Sequence, residues 1–181
     1  MLGFIYFLDI CKSDRLKEEI ITALKGCADY ILERVGEGKA KGIFDTSQIY
    51  GGLNSCSILE PFVRLYEITG EKRYLDFSKY IVELGFCSDM NIIELCLNKK
   101  LYPYQFTHTK AYEMMSCFEG LLEYYKVTGD KKYLAAVENF VDMVVKTDYT
   151  IIGCSGCTHE LFDNSTEKQT EETDGVMQET C

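Results

Sequence analysis

Thr69-Gly70-Glu71-Lys72-Arg73-Tyr74-Leu75 returns almost letter for letter as Thr128-Gly129-Asp130-Lys131-Lys132-Tyr133-Leu134, 59 residues further along (69 to 128). Each copy carries a helix stop followed at once by a helix start. The glycine ends one helix because it takes up the left-handed backbone at little cost. The acidic residue after it suits the positive N-terminal end of the next helix, and Tyr-Leu falls where it can pack back across the turn. The match runs backward through Glu60/Glu119 and Tyr66/Tyr125 and forward to Val82/Val141, so a whole helical hairpin repeats. A connection this short forces the two helices antiparallel. One hairpin alone leaves an apolar face bare, so repeated hairpins stack into a solenoid or close into a ring.

Working outward, the two hairpins are expected at about residues 55–87 and 114–146. Before them, Ser13 can cap a helix whose apolar stripe is Leu16, Ile20, Ile21, Leu24, Ala28, Ile31 and Leu32, ended by Gly36, Gly38 and Gly42. It reads as one arm of a preceding pair. Between the repeats, Ser88 to Thr107 mixes a short apolar segment with a Lys-Lys-Leu-Tyr-Pro-Tyr loop. After Lys146 the helical period stops. Residues 147–175 hold a small-residue loop, Gly153-Cys154-Ser155-Gly156-Cys157, and then a polar, acidic stretch expected to be solvated. Periodicity resumes at Val176-Met177, just before the last residue, Cys181.

Composition narrows the function classes. The 181 residues carry 19 basic and 29 acidic side chains, a net charge of −10 with a pI near 4.7, so a nucleic acid or an anionic membrane is repelled by most of the surface. Only Pro61 and Pro103 interrupt helix propagation. The apolar opening, Met1 to Cys11, lacks a positive start and a cleavage site, is broken by Asp9 and is too short to span a bilayer. It reads as a buried helix or one cut from a longer parent. Nine cysteines without an export signal point to a reducing, cytoplasmic setting. Of these, Cys27, Cys56, Cys87, Cys96 and Cys117 fall in or beside helices and read as packing residues.

Candidate chemistry concentrates in the tail. Glu179-x-Cys181 can turn a carboxylate and a thiolate towards one ion, and zinc accepts both. On spacing alone, a solvated acid beside a buried thiol accounts for the same residues. Cys154-x-x-Cys157 with His159 is open to three readings: half a zinc knuckle completed by Cys181, a redox pair, or a loop with incidental thiols, which the lack of a βαβ pattern favours. Glu60 and Glu119 invite a paired-carboxylate story, but they recur with the hairpin and read as structural.

The run Gly153-Cys154-Ser155-Gly156, then Glu160-Leu161-Phe162, then Glu179-Thr180-Cys181, preceded by Tyr112-Glu113-Met114-Met115-Ser116 and Tyr133-Leu134, resembles glycoside hydrolase family 127, the β-L-arabinofuranosidases, over residues 50–181. The resemblance implies an all-α fold, an (α/α)6 toroid of which residues 1–181 form a fragment with the site loop at 147–175. It implies a zinc-dependent, retaining hydrolase of plant-type glycans with a cysteine nucleophile. Glu160 then matches the general acid/base, expected to be partly desolvated, although the loop from it to Glu179 is slightly longer than the family's. Glu179 and Cys181 match the first two zinc ligands, and His108 matches a histidine that contacts the sugar. The family's other two ligands, one of them the nucleophile, lie further along than this sequence reaches. The chain is accordingly expected to show little or no activity alone and to self-associate through uncovered helix faces. The rival readings are a non-catalytic helical-repeat module that binds a protein or peptide, and another toroid carbohydrate enzyme without a cysteine–zinc centre.

Overall fold

The computed structural model describes residues 1–150, 153–156 and 158–168, and among them the regular secondary structure is helical. In chain order the helices are α1 (Leu2–Ile10), α2 (Asp14–Arg34), α3 (Leu53–Cys56), α4 (Leu59–Thr69), α5 (Lys72–Leu84), α6 (Ile92–Asn98), α7 (Ala111–Thr128), α8 (Lys131–Thr147) and α9 (Ser165–Lys168). Helix α2 starts where the Ser13 hydroxyl accepts the Leu16 amide and buries Ile20, Leu24 and Ala28. The repeated turns become matching left-handed caps, with Gly70 at φ 68° and Gly129 at φ 73°. Their amides donate to the carbonyls of Tyr66 and Tyr125, each at 2.7 Å.

Helices α1, α4 and α7 stand side by side, and α2, α5 and α8 pack on them from outside, so three hairpins make an arc of an (α/α) toroid. Close approach of α4 and α7 depends on Gly120, where a Cβ would sit 2.7 Å from the Glu60 backbone nitrogen and 2.9 Å from Leu59. The core between the layers is aromatic. Phe62 meets Tyr74 and Phe77, while Phe118 stacks on Phe140 at 3.9 Å and 4°.

Several expectations change on contact with the structure. Helix α1 buries only Ile5 and leaves Phe4, Tyr6, Phe7 and Ile10 exposed, because it stands at one end of the arc with α4 and α2 as its main neighbours. Cys27 is exposed on α2, whereas Cys56, Cys87, Cys96 and Cys117 are buried as packing residues. Glu71 stands at the N-cap of α5, as its charge suggested, and its carboxylate pairs with Lys25 and Arg73, both at 2.5 Å. Part of the stretch expected to be solvated is docked: Asp148 accepts the amides of Asp163 and Ser165, and Phe162 is buried against Phe140.

Glu60 is structural, as its recurrence suggested. Buried between the inner helices, it accepts the Tyr6 hydroxyl at 2.7 Å and the Arg64 Nε at 2.6 Å, and Arg64 reaches on to Glu123 at 3.2 Å. The network ties α1, α4 and α7 together, whereas Glu119 stays exposed beside it. Among the described residues no helix is long and apolar enough to cross a membrane.

Candidate active site

At the end of the hairpins away from Gly70 and Gly129, the loops entering α3, leaving α5, entering α7 and following α8 meet. Two of them lie edge to edge. The Phe162 amide donates to the Thr109 carbonyl at 2.7 Å, and Lys110 pairs with Leu161 in an antiparallel bridge. This lays the segment carrying His108 against the segment carrying Glu160, and Lys110 forms an ion pair with the Glu160 carboxylate across the join. Lys110 Nζ also donates to the His159 carbonyl at 3.3 Å and stands 5.8 Å from the centroid of the Tyr50 ring, a cation–π distance. Burial pulls the Lys110 pKa down, but the hydrogen bond to Glu160 and the charges of Glu113 and Glu160 raise it by more. The ammonium therefore stays charged.

The Tyr50 ring meets His108 edge-on at 6.4 Å, and His108 Nε2 is 3.2 Å from Asp89 Oδ2, which fixes the imidazole plane. These three converge on a tight turn. Tyr50 and Gly51 have φ of 52° and 63°, and a Cβ on Gly51 would lie 2.9 Å from His108 Nε2 and 3.0 Å from Asp89. The Ser88 amide and the Cys87 thiol donate to the carbonyls of Gly51 and Tyr50 and lock the turn to the loop that carries Asp89. On the other side, His159 and Glu160 both have left-handed φ, 58° and 61°, unusual for residues with side chains and a mark of local strain beside the ion pair.

Of the residues singled out from sequence, His108 and Glu160 thus belong to one chain of contacts, Asp89–His108–Tyr50–Lys110–Glu160. Glu160 is salt-bridged to Lys110, and its side chain is 41% exposed. Glu179 and Cys181 lie outside the described residues, as does Cys157. Cys154 is buried and disulfide-bonded, so it is neither an incidental free thiol nor a thiolate for a four-ligand set with Cys157, His159 and Cys181. Among the described residues, no three His, Cys, Asp or Glu side chains are grouped to hold a metal ion. The sequence reading did not single out Tyr50, Asp89 or Lys110, and it took Glu113 only as part of a matching run. The clues available were Gly51-Gly52, marking a tight turn, and a lysine placed directly before the first turn of α7.

The pattern of the β-L-arabinofuranosidase GH127 catalytic domain matches residues 15–181. The solved structure of the GH127 β-arabinofuranosidase BT3674 is similar in fold, with a TM-score of 0.55 and 23% identity over 75% of this chain. This chain spans 20% of that one. No curated protein matches. A match that takes in α2 through α9, on a fold shared with a solved member, means that the chain belongs to the GH127 β-L-arabinofuranosidase catalytic-domain family.

Proposed function

We propose that this chain supplies the acid/base and sugar-holding side of a retaining glycoside hydrolase acting on β-L-arabinofuranosides of plant-type glycans. The observation that carries the reading is the edge-to-edge pairing of residues 108–110 with 160–162, which puts the family's expected sugar-binding and acid/base residues on adjacent strands of backbone at one end of the arc. A protonated Glu160 gives its proton to the leaving oxygen as the bond to the anomeric carbon breaks and the electron pair stays on that oxygen. Attack on the carbon comes, by the resemblance, from a cysteine thiolate of the family site. Glu160, now a carboxylate, then takes a proton from the water that releases the sugar, which retains the configuration. The ion pair with Lys110 supports this accepting role. His108, oriented by Asp89, offers a polar edge for a sugar hydroxyl.

Zinc enters by the resemblance, with Glu179 and Cys181 as its first two ligands; bound there, it would hold a thiolate ionised at neutral pH. Both lie outside the described residues, among which no three His, Cys, Asp or Glu side chains are grouped to hold a metal ion. The exposed apolar side chains of α1 support a further part of the reading, that the chain self-associates or packs on additional sequence.

Amide shifts of the 181-residue chain during titration with methyl β-L-arabinofuranoside test the proposal. Shifts should cluster at residues 106–110 and 158–162 and vanish in His108→Ala. Shifts confined to other parts of the arc would remove the sugar-holding role. Release of an aryl β-L-arabinofuranoside leaving group by the chain alone should be negligible. Turnover abolished by Glu160→Gln would show that the nucleophile lies within these 181 residues.

A further inference from the structure

We infer that Lys110 is a positioning residue with two seats, the Glu160 carboxylate and the unpartnered Oε2 of Glu113, between which its ammonium moves when Glu160 gains or loses a proton. The inference deepens the proposed function and rests on the reading of Glu160 as its acid/base.

A lysine that only ever holds Glu160 suits the base half of the cycle but opposes the acid half. The backbone of Lys110 cannot relieve this, because it is fixed as the N-cap of α7 and bridged to Leu161. Its four-carbon stem can rotate. The side chain is 14% exposed, so an ammonium that loses its carboxylate without finding another is left poorly solvated. Glu113 lies three residues on, in the first turn of α7 that Lys110 caps, and its charge already acts on Lys110. Its Oε2 is buried and has no hydrogen-bond partner among the described residues. A buried carboxylate oxygen in that condition is costly unless it is filled in another state of the site.

The proton bookkeeping is simple. A proton from solvent goes onto Glu160, and Lys110 keeps its three protons and turns to the Glu113 carboxylate. When Glu160 gives up its proton, the ammonium returns. The other titratable groups around the ammonium are Tyr50, whose ring it faces, the Asp89–His108 pair beyond that ring, and His159, which offers its carbonyl while its imidazole is exposed. None of these offers a second anionic seat against Lys110.

Solvent exchange of the Lys110 ammonium protons, followed by NMR in the 15N-lysine-labelled 181-residue chain, separates the cases. Exchange should remain slow in wild type, in Glu160→Gln, which mimics the protonated acid, and in Glu113→Met, because one seat survives in each. It should quicken by about tenfold or more in the double variant, where neither charge-assisted hydrogen bond is left. Fast exchange in Glu160→Gln alone, or slow exchange in the double variant, overturns the inference. Should the double variant lose its helical circular dichroism, the isosteric pair Glu160→Gln with Glu113→Gln, which removes both charges and keeps both shapes, gives the same answer. Slow exchange in that pair also overturns the inference. Activity plays no part in the readout, so its failure leaves the catalytic role of Glu160 standing, and loss of that role leaves the seats measurable.

Discussion

The two ends of the repeated hairpins differ in kind. At the turn end, α4–α5 and α7–α8 are copies: the same glycine in the same left-handed conformation, with the same 2.7 Å amide bond to a tyrosine carbonyl. At the far end they share little. Helix α4 is entered through the short helix α3 and the buried Leu53, whereas α7 is entered through Lys110, bridged to a segment fifty positions later. Repetition thus builds the scaffold, and departure from it gathers His108, Lys110 and Glu160. Even at the turn end the copies are not equal in burial. Tyr74 is fully buried, packs on Phe62 and donates its hydroxyl to Asp29 at 3.0 Å. Its counterpart Tyr133 is partly exposed, touches Tyr124 and has no hydrogen bond from its hydroxyl among the described residues.

The largest expected effect exploits that inequality. Tyr74→Ala should destabilise the chain by about 3–5 kcal/mol, the range for removing a buried aromatic ring, and Tyr133→Ala by clearly less, read from urea unfolding midpoints. Equal losses would mean that the third hairpin is as enclosed as the second. Next come the turn glycines, where the copies should behave alike. Ala at position 70 or 129 meets no neighbouring atom, so only the left-handed backbone is penalised, by about 1–2 kcal/mol in each case. A difference between the two beyond a few tenths of a kcal/mol would show that one turn is not the autonomous cap its geometry suggests.

This contrast also explains what could be read from the sequence. The turns were legible because their determinants are local: a helix stop, a left-handed glycine and a returning tyrosine lie within seven residues. The core stripe of α2 was legible for the same reason, since a three-and-four spacing fixes one face. The orientation of α1 was not, because its apolar residues run almost around the helix and only its position at the end of the arc decides that Ile5 alone is buried. At the site, His108 and Glu160 came through family resemblance. Lys110 could not, because its role depends on a backbone bridge between two irregular segments with no periodicity to align them. Asp89 was hidden in the same way, its contact with His108 resting on the turn at Tyr50-Gly51.

The smallest predicted effect concerns the repeat-equivalent carboxylates. Glu60 is held by Tyr6 and Arg64, while Glu119, with no hydrogen bond or ion pair among the described residues, feels partial burial and the negative charge of Glu60, and both push its pKa up against the pull of Arg64. A carboxyl whose value is higher in the folded chain than in the unfolded one favours folding while it is protonated. That contribution is complete below the ordinary carboxyl value and is lost as pH rises through the raised one. Glu119→Gln removes the titration. The melting temperature of the variant should therefore gain on wild type as pH rises from about 4 towards neutrality, and added salt should shrink the gain by screening Glu60. Glu60→Gln should do the opposite near neutrality, because it takes the charge from the acceptor that Tyr6 and Arg64 share. If the two substitutions shifted stability in the same direction at neutral pH, the repeat would have given both carboxylates one role, and the division between a buried strut and a strained surface acid would be wrong.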